Sequence, residues 1–167
     1  GLVLGAISPA RAQGEQLAVT AGEKTFADEN LDAPLPASLD VAYGGQKVTL
    51  RALGSGLRKK LVFKVYVAAL YVDDTVTLGA DPAADVCGQD VARHITLIMK
   101  RGLGADKISE AIHEGFINSV WRKEPDEALR QKLDEFVAGF TGELQSGDRI
   151  ELTYLPGVGL LTTLGGR

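Results

Sequence analysis

Residues 60–72, KLVFKVYVAALYV, alternate in a way that only an extended strand can use. The odd positions are Leu61, Phe63, Val65, Val67, Ala69 and Tyr71, wholly apolar apart from one phenolic hydroxyl. The even positions, Lys60, Val62, Lys64, Tyr66, Ala68 and Leu70, mix cations, a phenol and small apolar groups. In a strand these two sets point to opposite sides. The odd set must therefore meet a core, while the even set can line a partly polar cleft. Upstream, Leu39, Val41 and Tyr43 alternate, Gly44-Gly45 turns the chain, and Val48 and Leu50 alternate again, which is a hairpin pattern. Residues 52–58, ALGSGLR, read as a glycine-bearing turn between that hairpin and the long strand.

The remaining pattern changes period twice. Residues 13–38 are polar, carry Pro34 and Pro36, and read as a leader with one edge strand near 24–27. Residues 73–89, with Pro82 and several aspartates, read as loop, and 92–100 return to strand. From 105 to 120 the period is helical, with Ile108, Ala111, Ile112, Phe116 and Val120 on one stripe. Pro125 and Asp126 announce a second helix, whose stripe is Leu129, Leu133, Phe136, Val137 and Phe140. Two short strands, 149–154 and 159–164, close the chain. Strands, two helices, then strands is a segregated α+β order, in which each one-sided helix covers a face of an antiparallel sheet.

At 167 residues the chain has room for one ordinary domain. A net charge of −4 argues against a general nucleic-acid binder, because phosphate contacts need a positive field. One cysteine, Cys87, permits no internal disulfide and no Cys-rich zinc site; with only His94 and His113 besides, no metal and no cofactor is expected. The histidines read as ordinary hydrogen-bonded groups, and Cys87 has no neighbouring cation to activate it. Phosphate-loop, dinucleotide, HExxH and GxSxG motifs do not occur. Residues 1–12, GLVLGAISPARA, join a short apolar run to an Ala10-Arg11-Ala12 pattern. They read as a signal-peptide remnant, which makes a periplasmic or secreted location the expectation. The run is too short for a helix to span a bilayer.

One group of residues carries chemistry. Arg58, Lys60, Lys64 and Tyr66 fall along the 52–58 turn and one face of the strand. A planar guanidinium with an ammonium and a phenol beside it suits a carboxylate or phenolate, and small Ala68 beyond them leaves room for an apolar body. The same cations also suit surface pairing with acidic residues.

The block GSGLRKK followed by FKVYVAALYV, residues 54–60 and 63–72, resembles the chalcone isomerase-like proteins, specifically their bacterial exported branch. The strand–helix–helix order and YLPGVG at 154–159 are similar too. The resemblance implies an antiparallel sheet with helices packed on one face, an open-faced sandwich, over residues 13–167. It also implies a chain truncated at its C-terminus, since bacterial relatives continue with further sheet and helix. In the family's plant enzymes a chalcone skeleton closes to a flavanone, helped by Arg, Tyr, Thr and Asn groups. Arg58 matches the arginine, whereas Tyr66, Gly104 and Ala111 stand where the threonine, tyrosine and asparagine belong. With most of the donors gone, the resemblance implies no catalytic residues. It implies instead a binder of an amphipathic small molecule such as a fatty acid, held by Arg58, Tyr66 and Lys64 with Val62, Ala68, Ile112 and Phe116 around its body. Two alternatives stand beside this: an intramolecular lyase or isomerase on an unknown substrate, and a structural module of an envelope assembly. No nucleic-acid partner and no membrane span are expected, and the oligomeric state is left open.

Overall fold

Gly44 and Gly45 have φ of 56° and 78°, the pair of positive values that a two-residue hairpin turn requires. They join the strand Ser38–Tyr43 to the strand Gln46–Lys60, and the rest of the sheet grows outward from that hairpin. The computed structural model describes residues 2–4, 16–119 and 127–165. In chain order the strands are β1 (Leu2–Leu4), β2 (Ala18–Ala21), β3 (Thr25–Phe26), β4 (Leu35–Pro36), β5 (Ser38–Tyr43), β6 (Gln46–Lys60) and β7 (Phe63–Asp73). Helix α1 (Pro82–Gly88), β8 (Arg93–Met99), β9 (Leu103–Gly104), α2 (Ala105–Ser119), α3 (Glu127–Ala138), β10 (Glu143–Leu144), β11 (Arg149–Leu155) and β12 (Gly159–Gly165) follow. The main sheet runs β1-β12-β11-β8-β7-β6-β5-β2, with antiparallel neighbours throughout. The sheet curls, so that Gln46 Nε2 at the start of β6 donates to the Pro156 carbonyl between β11 and β12 at 3.5 Å. The result is a curled open-faced α+β sandwich.

Alternation along β7 and β8 divides the core in two. Ala69 and Tyr71 face the side covered by the leader, where they pack with Leu35, Leu39, Leu50, Leu155 and Leu161. The Tyr71 hydroxyl donates to the Pro36 carbonyl at 3.0 Å and so ties the leader across the sheet. On the opposite face Met99 and Ile150 meet Ile108 of α2 and Phe140 beyond α3. Within this second cluster Phe136 and Phe140 meet edge to face, with ring centroids 5.3 Å apart.

Three sequence expectations change. Residues 52–58 are not a turn: β6 runs straight through them, and Gly54, at φ 146°, serves a register shift between Ala52 and Gly54. The turn falls later, at Leu61 and Val62, because Lys60 and Phe63 are the last paired residues. An alternating run does not reveal where it folds back when both arms are strand. The expected loop at 73–89 also contains α1, capped by Asp81, whose carboxylate accepts from the Ala84 N–H at 3.1 Å. Seven residues are too few for a helical period to register. Leu2–Leu4 pair with β12 as the outermost strand. The rest of 1–12, its boundary with residue 13, Val120 and the Pro125-Asp126 helix start lie outside the described residues.

Leu61 sits at φ 56°, a left-handed backbone that costs a leucine about 1 kcal/mol. Asparagine tolerates that region, so Leu61→Asn is expected to stabilise the fold by ~0.5–1 kcal/mol. A urea midpoint equal to or below that of the unaltered chain would contradict this.

Candidate functional site

The helices stand off the sheet and leave a cavity of about 760 Å3 between them. That volume lies inside the ~300–1,000 Å3 range of small-molecule sites. Helical spacing builds its roof. Ile108, Ala111, Ile112 and Gly115 follow one another at three, one and three residues along α2, and all line the cavity. From α3 come Leu129, Lys132, Leu133 and Phe136, on the same kind of stripe. The floor is the sheet face that alternation directs toward the helices. It runs from Tyr66 on β7 through Leu97 and Met99 on β8 and Ile150 and Leu152 on β11 to Leu160 and Thr162 on β12. Arg58 on β6 closes the near end. From β6 to β12 is four inter-strand steps, roughly 19 Å at the usual spacing.

Polar groups are few in this wall. Arg58 is the register partner of Tyr66, and its Cζ lies 5.7 Å from the centroid of the Tyr66 ring, within cation–π range. Arg58 is exposed and Tyr66 half-buried, so the guanidinium stands at the rim with one face on the phenol and its donors open to solvent. Among the described residues Arg58 forms no ion pair. Lys132 and Glu135 sit on the α3 side, and Thr162 adds a buried hydroxyl to the floor.

Of the residues singled out from sequence, Arg58, Tyr66 and Ile112 stand together in the wall. Lys64 stands elsewhere: its Nζ donates to Asn30 Oδ1 on the leader at 3.0 Å. The register shift between Arg58 and Lys59 explains this, because the β6–β7 ladder is irregular just where Lys64 would have joined Arg58. Ala68 shares the sheet face of Tyr66 but is not part of the wall. Phe116 lies on α2 one turn past Ile112, and its side chain is outside the described residues. Leu97, Met99, Ile150, Lys132 and Thr162 were not foreseen as lining residues. The alternation of β8 and the stripe of α3 were both visible signals, but neither says which face meets a cavity.

His94 belongs to the other side of the sheet. It is 1 % exposed, with Nδ1 2.8 Å from Thr153 Oγ1 and Nε2 3.0 Å from Thr96 Oγ1. His113 faces Asp134 of α3 at 3.7 Å, and Cys87 is exposed on α1.

An antiparallel sheet roofed by two helices over a mostly apolar cavity is an open-faced α+β sandwich. The chain belongs to the chalcone isomerase-like family, whose model matches residues 29–167. Among solved structures it is similar to a fatty-acid binding protein of Arabidopsis thaliana, with 21% identity and a TM-score of 0.62. That alignment covers 86% of this chain and 79% of the plant one. No curated protein matches the chain.

Proposed function

We propose that this chain is a non-catalytic carrier or sensor of a long-chain fatty acid, with the acyl chain across the sheet and the carboxylate at Arg58. The observation that carries this reading is the composition of the cavity: apolar walls on both sheet and helices, and an unpaired guanidinium at one end. Such a site matches a molecule that is oily along its length and anionic at one tip. The plant relative's description as a fatty-acid binding protein supports the same ligand class. At the places where the resemblance puts catalytic phenol and amide groups this chain has Gly104 and Ala111, and Ala111 lies in the wall as a bare methyl. Polarising an enone needs donors aimed at its oxygen, so their loss favours binding over cyclisation. Export is part of the proposal and rests on the Ala10-Arg11-Ala12 pattern alone.

Calorimetric titration with a saturated long-chain acid is expected to give one site per chain. Ala111→Trp, which pushes an indole into the roof, should weaken long-chain binding by about tenfold while sparing a short-chain acid. Long-chain affinity of the variant equal to that of the unaltered chain would remove the cavity from the account, and absence of binding in the unaltered chain would remove the ligand class.

A further inference from the structure

The tip of the β6–β7 hairpin serves neither core nor cavity. Leu61 and Val62 are 89% and 85% exposed, and Phe63 beside them is 55% exposed. The backbone resists this choice of residues: Leu61 occupies the positive-φ position that glycine or asparagine normally fills in a two-residue turn. Charge gathers around the same tip. Lys59 and Lys64 are register partners, so two ammonium groups are set on adjacent strands, a pairing that disfavours the fold. Lys60 pairs with Phe63, and the Arg101 guanidinium lies 4.9 Å from the Phe63 ring centroid. Residues 41–72 carry Lys47, Arg51, Arg58, Lys59, Lys60 and Lys64 and no acidic residue, in a chain whose net charge is −4. The acid that feels Lys60 is Glu110 of α2, which Lys107 already holds at 2.7 Å.

Strained, water-facing apolar groups inside a collar of cations fit one partner chemistry, an apolar slab under a negative surface. We infer that the Leu61–Val62–Phe63 tip docks this protein on bilayers bearing anionic lipid headgroups. The apolar side chains enter the interface, and Lys59, Lys60, Lys64 and Arg101 meet the headgroup charge. Among the described residues no helix is long and apolar enough to cross a membrane, so attachment through the tip is peripheral. Arg58 lies two positions before Lys60 on β6, which sets the cavity rim close to the docked surface. That last consequence rests on the acyl-chain reading of the cavity; docking itself does not.

Co-sedimentation of the full chain with phosphatidylcholine vesicles, with and without phosphatidylglycerol, tests the inference. Binding is expected only with the anionic lipid and should collapse at high salt. Lys59→Ser with Lys60→Ser should weaken partitioning roughly 25-fold, about fivefold for each lysine. Lys47→Ser, at the far end of β6, should change it less than about twofold, since surface attraction fades within a Debye length. Leu61→Asn with Val62→Ser should lose about tenfold or more. This variant is expected to fold, because the first substitution relieves backbone strain. Its fatty-acid affinity measured without vesicles should stay unchanged, which separates docking from ligand binding. Equal binding to neutral vesicles, or undiminished binding of the tip variant, overturns the inference. So does a chain that ignores vesicles but self-associates through the tip, since the apolar patch then meets a second copy.

Discussion

Arg58→Ala is expected to weaken binding of a long-chain acid about tenfold at physiological salt, rising toward ~100-fold at low salt. A hydrogen bond to a charged group is worth ~1.5–3 kcal/mol. Arg58 is exposed, however, so solvent and ions screen part of that, and the lower end applies when salt is present. Arg58→Lys should fall between the two, because a point charge replaces a planar fork that can meet both carboxylate oxygens. The fatty alcohol of the same length is the decisive control. Its chain fills the same cavity but carries no charge, so its affinity should not respond to Arg58→Ala. If acid and alcohol weaken together, Arg58 acts as wall, through its stacked contact with Tyr66, and not as a head-group anchor. Lys132→Ala distinguishes the other cation of the wall: should it cost more than Arg58→Ala, the acid lies reversed, with its carboxylate under α3.

How much of this was legible beforehand depends on whether a residue's role is set locally. Gly44-Gly45 dictates its turn by backbone freedom alone, and the β5–β6 hairpin stands where the pattern puts it. The stripes of α2 and α3 likewise declare their inward sides, since only one side of each is apolar. The β6–β7 connection was hidden for the opposite reason. Leu61-Val62 is a turn made of strand-forming residues, while the glycines that look like a turn lie within a strand. Site residues divide in the same way. Arg58 and Tyr66 do come together, but as partners on two antiparallel strands and not as a turn and the strand that follows it, whereas Lys64 is taken away by Asn30, thirty-four positions distant in the chain. No periodicity carries such a contact. The floor residues of β8 and β11 were unassigned because a sheet covered on both faces is apolar on both, and alternation then fixes sides without naming them.

The buried imidazole on the leader side is expected to weaken this fold in acid. Burial drives the His94 pKa from 6.5 down to about 4, so the ring is neutral in the folded protein at neutral pH. Its two nitrogens are already engaged by the Thr153 and Thr96 hydroxyls, one of which must accept and the other donate. Protonation would make both nitrogens donors, so neither threonine hydroxyl could any longer donate to the ring. Between pH 6.5 and about 4 the unfolded chain takes up a proton that the folded one refuses, so stability is full above pH 6.5 and declines as pH falls through that window. The complete loss is roughly 3 kcal/mol, or about 10 °C in melting temperature for a domain of this size. Glu151 works against this: burial raises its carboxyl, so the folded state holds that proton more tightly and acidification favours folding there. Because the two slopes oppose, the total curve understates the histidine. His94→Gln resolves it, since an amide can donate to one hydroxyl and accept from the other without titrating. The variant should melt lower at pH 7.5 if its reach is imperfect, yet lose the steep decline between pH 6.5 and 4. Thermal melts that keep the same acid limb after this substitution would place the acid sensitivity elsewhere, and Glu151→Gln, which removes the opposing slope, should steepen the limb in the unaltered His94 background.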